Sequence, residues 1–202
     1  MLYVSHCEPS TKVLGPGQRY ALWVQGCEKR CPHCIFPAGQ PKFSGGRWIS
    51  VAELWREIKK IPALTGITVS GGEPFLQTPA LARLVKFLRA DSNLDVMIFT
   101  GYTLDELKAR RHAATDFLLA NIDILVDGDY RDELNTGSLY RGSDNQQIHF
   151  LTPKYLPFSE IIARTKNRSV EFVYRGGELF MVGIPAKNFG ADFINRILEA
   201  KT

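Results

Sequence analysis

Three of the four cysteines of this 202-residue chain fall within eight positions of the segment VQGCEKRCPHCIF, residues 24–36. Cys27, Cys31 and Cys34 are spaced Cys-x3-Cys-x2-Cys, a loop that can wrap three thiolates around one centre. A structural zinc would complete its tetrahedron with a fourth Cys or His, and Cys7, His6 and His33 are candidates. A four-iron cluster also commonly takes four cysteines. Three thiolates leave one metal position open, as a catalytic metal site does. Cys7, twenty residues upstream of the loop, reads instead as a small buried hydrophobe.

The elements that must position this loop can be traced by periodicity. Apolar and β-branched runs recur at 19–26, 66–70, 94–100, 122–128 and 147–151, and amphipathic helical patterns separate the first four. Ser50 with Glu53 and Thr103 with Glu106 have the spacing of reciprocal helix caps. Thr78 followed by Pro79 predicts a capped start with proline at the first helical position. Strand and helix in alternation imply right-handed crossovers and a parallel sheet. The cysteine loop follows the first of these strands, GGEP (71–74) the second, TGYT (100–103) the third and Asp127–Gly128 the fourth. Four loops thus converge on the carboxyl edge, where parallel sheets build their active sites.

Beyond residue 150 the pattern predicts a short helix at 158–166. A hairpin over 169–183 turns at Gly176–Gly177, and a last amphipathic helix runs over 189–200. A complete eightfold barrel takes ~250 residues. The expected fold is therefore α/β, an incomplete (βα) barrel of parallel strands with a C-terminal hairpin and helix. One domain spans 1–202, with its core at about 13–150 and an extension at 151–202.

Hydrophobic residues make up 45% of the chain, enough for one substantial core, and the net charge of +4 is spread among acidic residues. Nucleic-acid binding would need a denser basic face. No apolar run approaches the ~20 residues of a membrane helix, and the N-terminus lacks the features of a signal peptide. A cytoplasmic protein without membrane contact is expected. In that reducing compartment clustered cysteines are metal ligands or catalytic groups more often than disulfides.

The cysteine loop resembles the signature of radical S-adenosylmethionine enzymes. The lead-in LGPGQRYALWVQGC (14–27) and the motif SGGEPFLQ (70–77) resemble activating proteins for glycyl-radical enzymes. FTGYTLDEL (99–107), DILVDGDY (123–130) and YRGSDNQQI (140–148) resemble the anaerobic ribonucleotide reductase activating proteins in particular. The similarity runs in consistent order over about residues 13–150. It implies that Cys27, Cys31 and Cys34 hold a [4Fe–4S] cluster whose fourth iron takes the amino and carboxylate groups of S-adenosylmethionine. The chain departs from the pattern at Glu28, where a proline is frequent, at His33, where a small residue is frequent, and in IFPAG after the third cysteine.

The resemblance also implies roles for other residues. His33 occupies the position that borders the adenine. Gly71 and Gly72 let backbone approach the methionine moiety, and Glu73 accepts a hydrogen bond from its ammonium group. Thr100 is a candidate for the ribose, and Asp127 falls where relatives place an aspartate near the cofactor. Asp129 stands where some relatives carry a lysine. Asn145 and Gln146 belong to a turn expected to order the mouth.

The implied activity is reductive cleavage of S-adenosylmethionine to a 5′-deoxyadenosyl radical, which makes a glycyl radical on a partner such as anaerobic ribonucleotide reductase. Electrons would come from a donor such as flavodoxin or ferredoxin. The alternatives are a radical enzyme acting on another peptide or a small molecule, and a zinc or electron-transfer binding module.

Overall fold

The computed structural model describes residues 1–190 and 193. Seven strands form one sheet: β1 (Leu2–Thr11), β2 (Arg19–Val24), β3 (Arg47–Ile49), β4 (Gly66–Gly71), β5 (Asp95–Phe99), β6 (Ile124–Asp127) and β7 (Gln147–Phe150). Their spatial order is β3-β1-β2-β4-β5-β6-β7. The central four, β2, β4, β5 and β6, are parallel. The flanking strands β1, β3 and β7 run antiparallel to their neighbours. The sheet is mixed and open, and no closed barrel is formed among the described residues.

Helices α1 (Val51–Ile58), α2 (Thr78–Asp91), α3 (Leu104–Ala109) and α4 (Ala113–Asn121) connect the parallel strands. They cover one face of the sheet. Leu22, Ile67, Val69, Ile98 and Leu125 alternate along their strands onto that side and pack against Leu54, Leu84, Leu88 and Leu118. Thr103 and Glu106 form a complete capping box on α3, whereas Ser50 caps α1 by accepting only the Glu53 N–H. Thr78 is not the cap of α2. A 3₁₀ turn at Pro74–Leu76 precedes the helix, and the Thr78 hydroxyl donates back to the Phe75 carbonyl at 2.7 Å. Gln77 holds the cap position instead, while its side-chain amide ties Tyr3 and Gln25 to this turn.

The other face of the sheet is covered by chain that follows β6. Met97, Ile124 and Val126 pack against Tyr155, from a 3₁₀ turn at Pro153–Phe158 that leads into α5 (Ser159–Arg164). Ala21 on β2 packs against Val182 and Ile184, from a separate hairpin of β8 (Val170–Arg175) and β9 (Glu178–Gly183) that turns at Gly176–Gly177. The expected helix at 189–200 lies almost wholly outside the described residues. No helix among the described residues is long and apolar enough to cross a membrane.

Candidate active site

The segment between β2 and β3 leaves the carboxyl edge of the sheet, makes the cysteine loop, and returns to a backbone neck. Gly26 N–H donates to Gly39 O at 2.8 Å and Cys27 N–H to Gln40 O at 3.0 Å. The Gln25 amide crosses the neck to Ala38 O at 3.0 Å and Pro41 O at 2.8 Å. The end of β4 grips the same point: Gly72 N–H donates to Val24 O and Glu73 N–H to Gly26 O, both at 2.8 Å. A Cβ on Gly71 would lie 2.5 Å from Val24 backbone, and one on Gly72 would overlap the Gly26 carbonyl. The two glycines are thus required by the protein's own chain crossing, in addition to lining the cavity.

That cavity, about 900 Å³ including its open mouth, is bounded by Cys27, Cys31 and Cys34 on one side. Gly71, Gly72, Glu73, Thr100 and Gly101 line the other. All four cysteines are free thiols. Burial pushes the thiol pKa of Cys27 and of Cys31 upward, so a bound cation is what would ionise them. Among the described residues no three His, Cys, Asp or Glu side chains gather closely enough to chelate a single ion. A four-iron cluster asks for one thiolate per iron. The donor chemistry of the loop, three soft thiols lining one cavity, fits that cluster.

Glu73 is buried, and no cation pairs with it among the described residues. Oε1 accepts the Phe75 N–H at 2.9 Å and the Thr100 hydroxyl at 2.8 Å; Oε2 accepts the Gly101 N–H at 2.9 Å. Desolvation raises its pKa, against the pull of these three donors. A carboxylate offers about four acceptor sites, so one remains, on Oε2, for a donor in the cavity. Thr100 spends its hydroxyl proton on Glu73 and accepts the Tyr102 N–H at 3.1 Å. It therefore orients Glu73 and keeps one lone pair to accept a further hydrogen bond.

Two expected site residues are not brought to this cavity. His33 has a left-handed backbone (φ 54°), is exposed, and borders a neighbouring groove with Tyr130, Asp132 and Phe172. Asp127 is buried in a different cleft, where its carboxylate accepts the Leu104 N–H at 2.6 Å and lies 2.9 Å from His149 Nε2. It fixes the start of α3 against the end of β6.

The structure adds residues that the motifs did not single out. Lys29 lines the cavity, pairs with Asp129 at 3.1 Å and lies 4.4 Å from the centre of the Tyr102 ring. The Tyr102 hydroxyl donates to Glu28 at 2.5 Å, and Arg110 covers the ring at 3.7 Å. The loop is thereby clamped to the start of α3. Gln146, expected with Asn145 in a turn that orders the mouth, lines the cavity as well. Its amide accepts from Gly142 N–H and donates to Gly128 O, both at 2.8 Å, which closes the turn after β6. Asn145 binds Asp129 O at 2.8 Å. Trp23, Phe99 and Ile184 supply apolar wall; Trp23 and Phe99 sit on the side away from the helices by strand alternation, a signal present in the sequence.

Residues 13–149 match the family model described as a 4Fe-4S single cluster domain. The chain is 36% identical over 154 residues to the anaerobic ribonucleoside-triphosphate reductase-activating protein of Escherichia coli K12, covering 71% of this chain and 95% of that relative. The protein of the same name from Pasteurella multocida is 33% identical over 164 residues, 75% and 99% of the two chains. That from enterobacteria phage T4 is 30% identical over 145 residues, 69% and 88%.

Proposed function

We infer that this chain, which belongs to the family of anaerobic ribonucleoside-triphosphate reductase-activating proteins, is a radical S-adenosylmethionine enzyme that generates a glycyl radical on a partner enzyme. The observation that carries this reading is the meeting of two halves in one cavity. Three thiols face it from a single loop, and a buried carboxylate without a cation lines it from the next strand end. The first half suits an iron–sulfur cluster, the second an ammonium group.

When bound, a [4Fe–4S] cluster supplies the electron that cleaves a carbon–sulfur bond of S-adenosylmethionine. The chain's own residues do the rest. Cys27, Cys31 and Cys34 hold the cluster. Glu73 takes the ammonium group of the methionine moiety on Oε2, held in register by Thr100 and Gly101. Gly71 and Gly72 keep the strand end free of side chains beside it. The open sheet with its loops is read as an incomplete barrel, one domain whose core is 13–150. Anaerobic ribonucleotide reductase is the proposed partner. A flavodoxin or ferredoxin is the proposed electron donor, approaching the exposed loop that carries Arg30 and Lys42.

The test is anaerobic reconstitution with iron and sulfide, then reduction with S-adenosylmethionine. Release of 5′-deoxyadenosine and a spin-resonance doublet on the added reductase are expected. Metal uptake without cleavage would identify a binding module instead, and cleavage without a doublet would point to another substrate.

A further inference from the structure

The match to the family model ends at residue 149, yet the chain beyond it reaches the cavity. Gly183 and Ile184, at the end of β9, line the same space as the three cysteines. Gly183 has φ 125°, and a Cβ there would lie 2.9 Å from Ser169 O. Only glycine lets the chain turn tightly off the hairpin at this point. That turn delivers Ile184, buried together with Val182 against Leu14, Ala21, Trp23 and Ile35. Ile35 directly follows the last cysteine of the loop.

The hairpin is tied down along its length. Phe180 stacks on His6 at 4.9 Å, and His6 lies 5.4 Å from Trp23, itself a cavity residue. Glu171 accepts the Thr11 hydroxyl at 2.7 Å and the Lys12 N–H at 3.1 Å, and Arg175 pairs with Glu8 at 3.2 Å. Arg168 donates to Arg141 O at 2.5 Å and Pro185 O at 2.8 Å, bracketing the other end. These ties join the hairpin to β1 and to the turn after β6.

The cavity accordingly has two characters. Glu73, Thr100 and Lys29 make a polar side; Leu14, Trp23, Ile35, Phe99 and Ile184 make an apolar one. An alkyl radical takes hydrogen from whatever C–H group it touches, so the wall that fixes its surroundings fixes its outcome. Excluding water from such a space also strengthens every polar contact within it.

We propose that Ile184, delivered by the β8–β9 hairpin, is a positioning residue that seals the apolar side of the cavity and couples cofactor cleavage to glycyl-radical formation. This deepens the function proposed above and rests on it.

The experiment compares reconstituted wild type with Ile184→Ala and Ile184→Leu. Two quantities are read: the rate at which cluster absorbance bleaches in air without S-adenosylmethionine, and the 5′-deoxyadenosine released per glycyl radical on the anaerobic reductase. Ile184→Ala should raise both by about tenfold, and Ile184→Leu should return both to near wild type. A folded Ile184→Ala protein with wild-type values of both overturns the proposal. If circular dichroism shows that this variant does not fold, Ile184→Thr replaces it under the same criteria. If wild type itself makes no glycyl radical, the proposed function fails, while the bleaching rates still decide whether Ile184 seals the cavity.

Discussion

Arg19 and Asp95 meet across Gly66, guanidinium to carboxylate at 2.6 Å, both fully buried. The strand register places Arg19 beside Gly66 and Gly66 beside Asp95, the first residues of three adjacent parallel strands. A Cβ on Gly66 would overlap both charged groups. Arg19 also donates to Thr68 at 2.6 Å, Pro16 O at 2.9 Å and Ile67 O at 2.6 Å. Asp95 further accepts from Lys154 at 3.0 Å and the Tyr155 hydroxyl at 2.6 Å. The GPG-x-R lead-in therefore pins the edge of the sheet opposite the cysteine loop.

Arg19→Met or Asp95→Asn breaks this buried pair and should cost about 3–5 kcal/mol. Gly66→Ala forces an overlap and should cost about 1–3 kcal/mol. Urea denaturation of the iron-free protein measures both. Because none of these three residues lines the cavity, the variants should still take up iron when reconstituted under native conditions.

Glu73→Gln removes the charge but keeps the shape. Binding of S-adenosylmethionine to the reconstituted protein should weaken ~10- to 100-fold, the loss of about 1.5–3 kcal/mol expected for a hydrogen bond to a charged group. Thr100→Val, which leaves the charge and removes one support, should weaken binding less. Equilibrium dialysis reads both. Burial raises the Glu73 pKa above its ordinary value of 4.5, so the folded state holds this proton more tightly than the unfolded state. The stabilisation from neutral Glu73 is complete below pH 4.5 and is lost as pH rises through the raised value. Wild type, but not Glu73→Gln, should show that loss in denaturation curves.

Cys31→Ala should abolish the cluster absorbance and all cofactor cleavage. Cys7→Ala should change neither: Cys7 lies on β1 opposite Leu22 and packs against the helical side of the sheet. Gly72→Ala, which pushes the strand end against the Gly26 carbonyl, should reduce iron content without touching a thiol. Iron and sulfide assays distinguish the three.

Burial lowers the His6 pKa below 6.5, reinforced by the Arg175 and Arg47 charges and opposed by Glu8. The unfolded state then binds the proton more readily. Stability from neutral His6 is present above pH 6.5 and is lost as pH falls through the lowered value. Amides of β8 and β9 should exchange faster at pH 5.5 than expected from intrinsic rates, and His6→Phe should remove that acceleration.

The parallel strands and their helices were legible because their periodicity is strong and their ends carry caps and glycines. β1 was not, since LYVSHCEPST contains Pro9 and no sustained alternation; its pairing with β2 and β3 is decided by the sheet, not by local preference. β7 was visible as a strand, but nothing local announces that it runs antiparallel. At the site, the cysteine spacing and Gly71–Gly72–Glu73 led to one cavity. His33 and Asp127 did not, because side-chain direction depends on a left-handed loop residue in one case and on the start of α3 in the other. Ile184 carried no motif at all and became visible only through the turn at Gly183.

The neck of the cysteine loop is closed by backbone groups: Gly26 to Gly39, Cys27 to Gln40, Glu73 to Gly26. None of these bonds involves a thiol. A molecule stripped of metal by oxygen is accordingly expected to keep the frame that receives it, so that iron, sulfide and a reductant for the three thiols would refill the socket without a newly made chain.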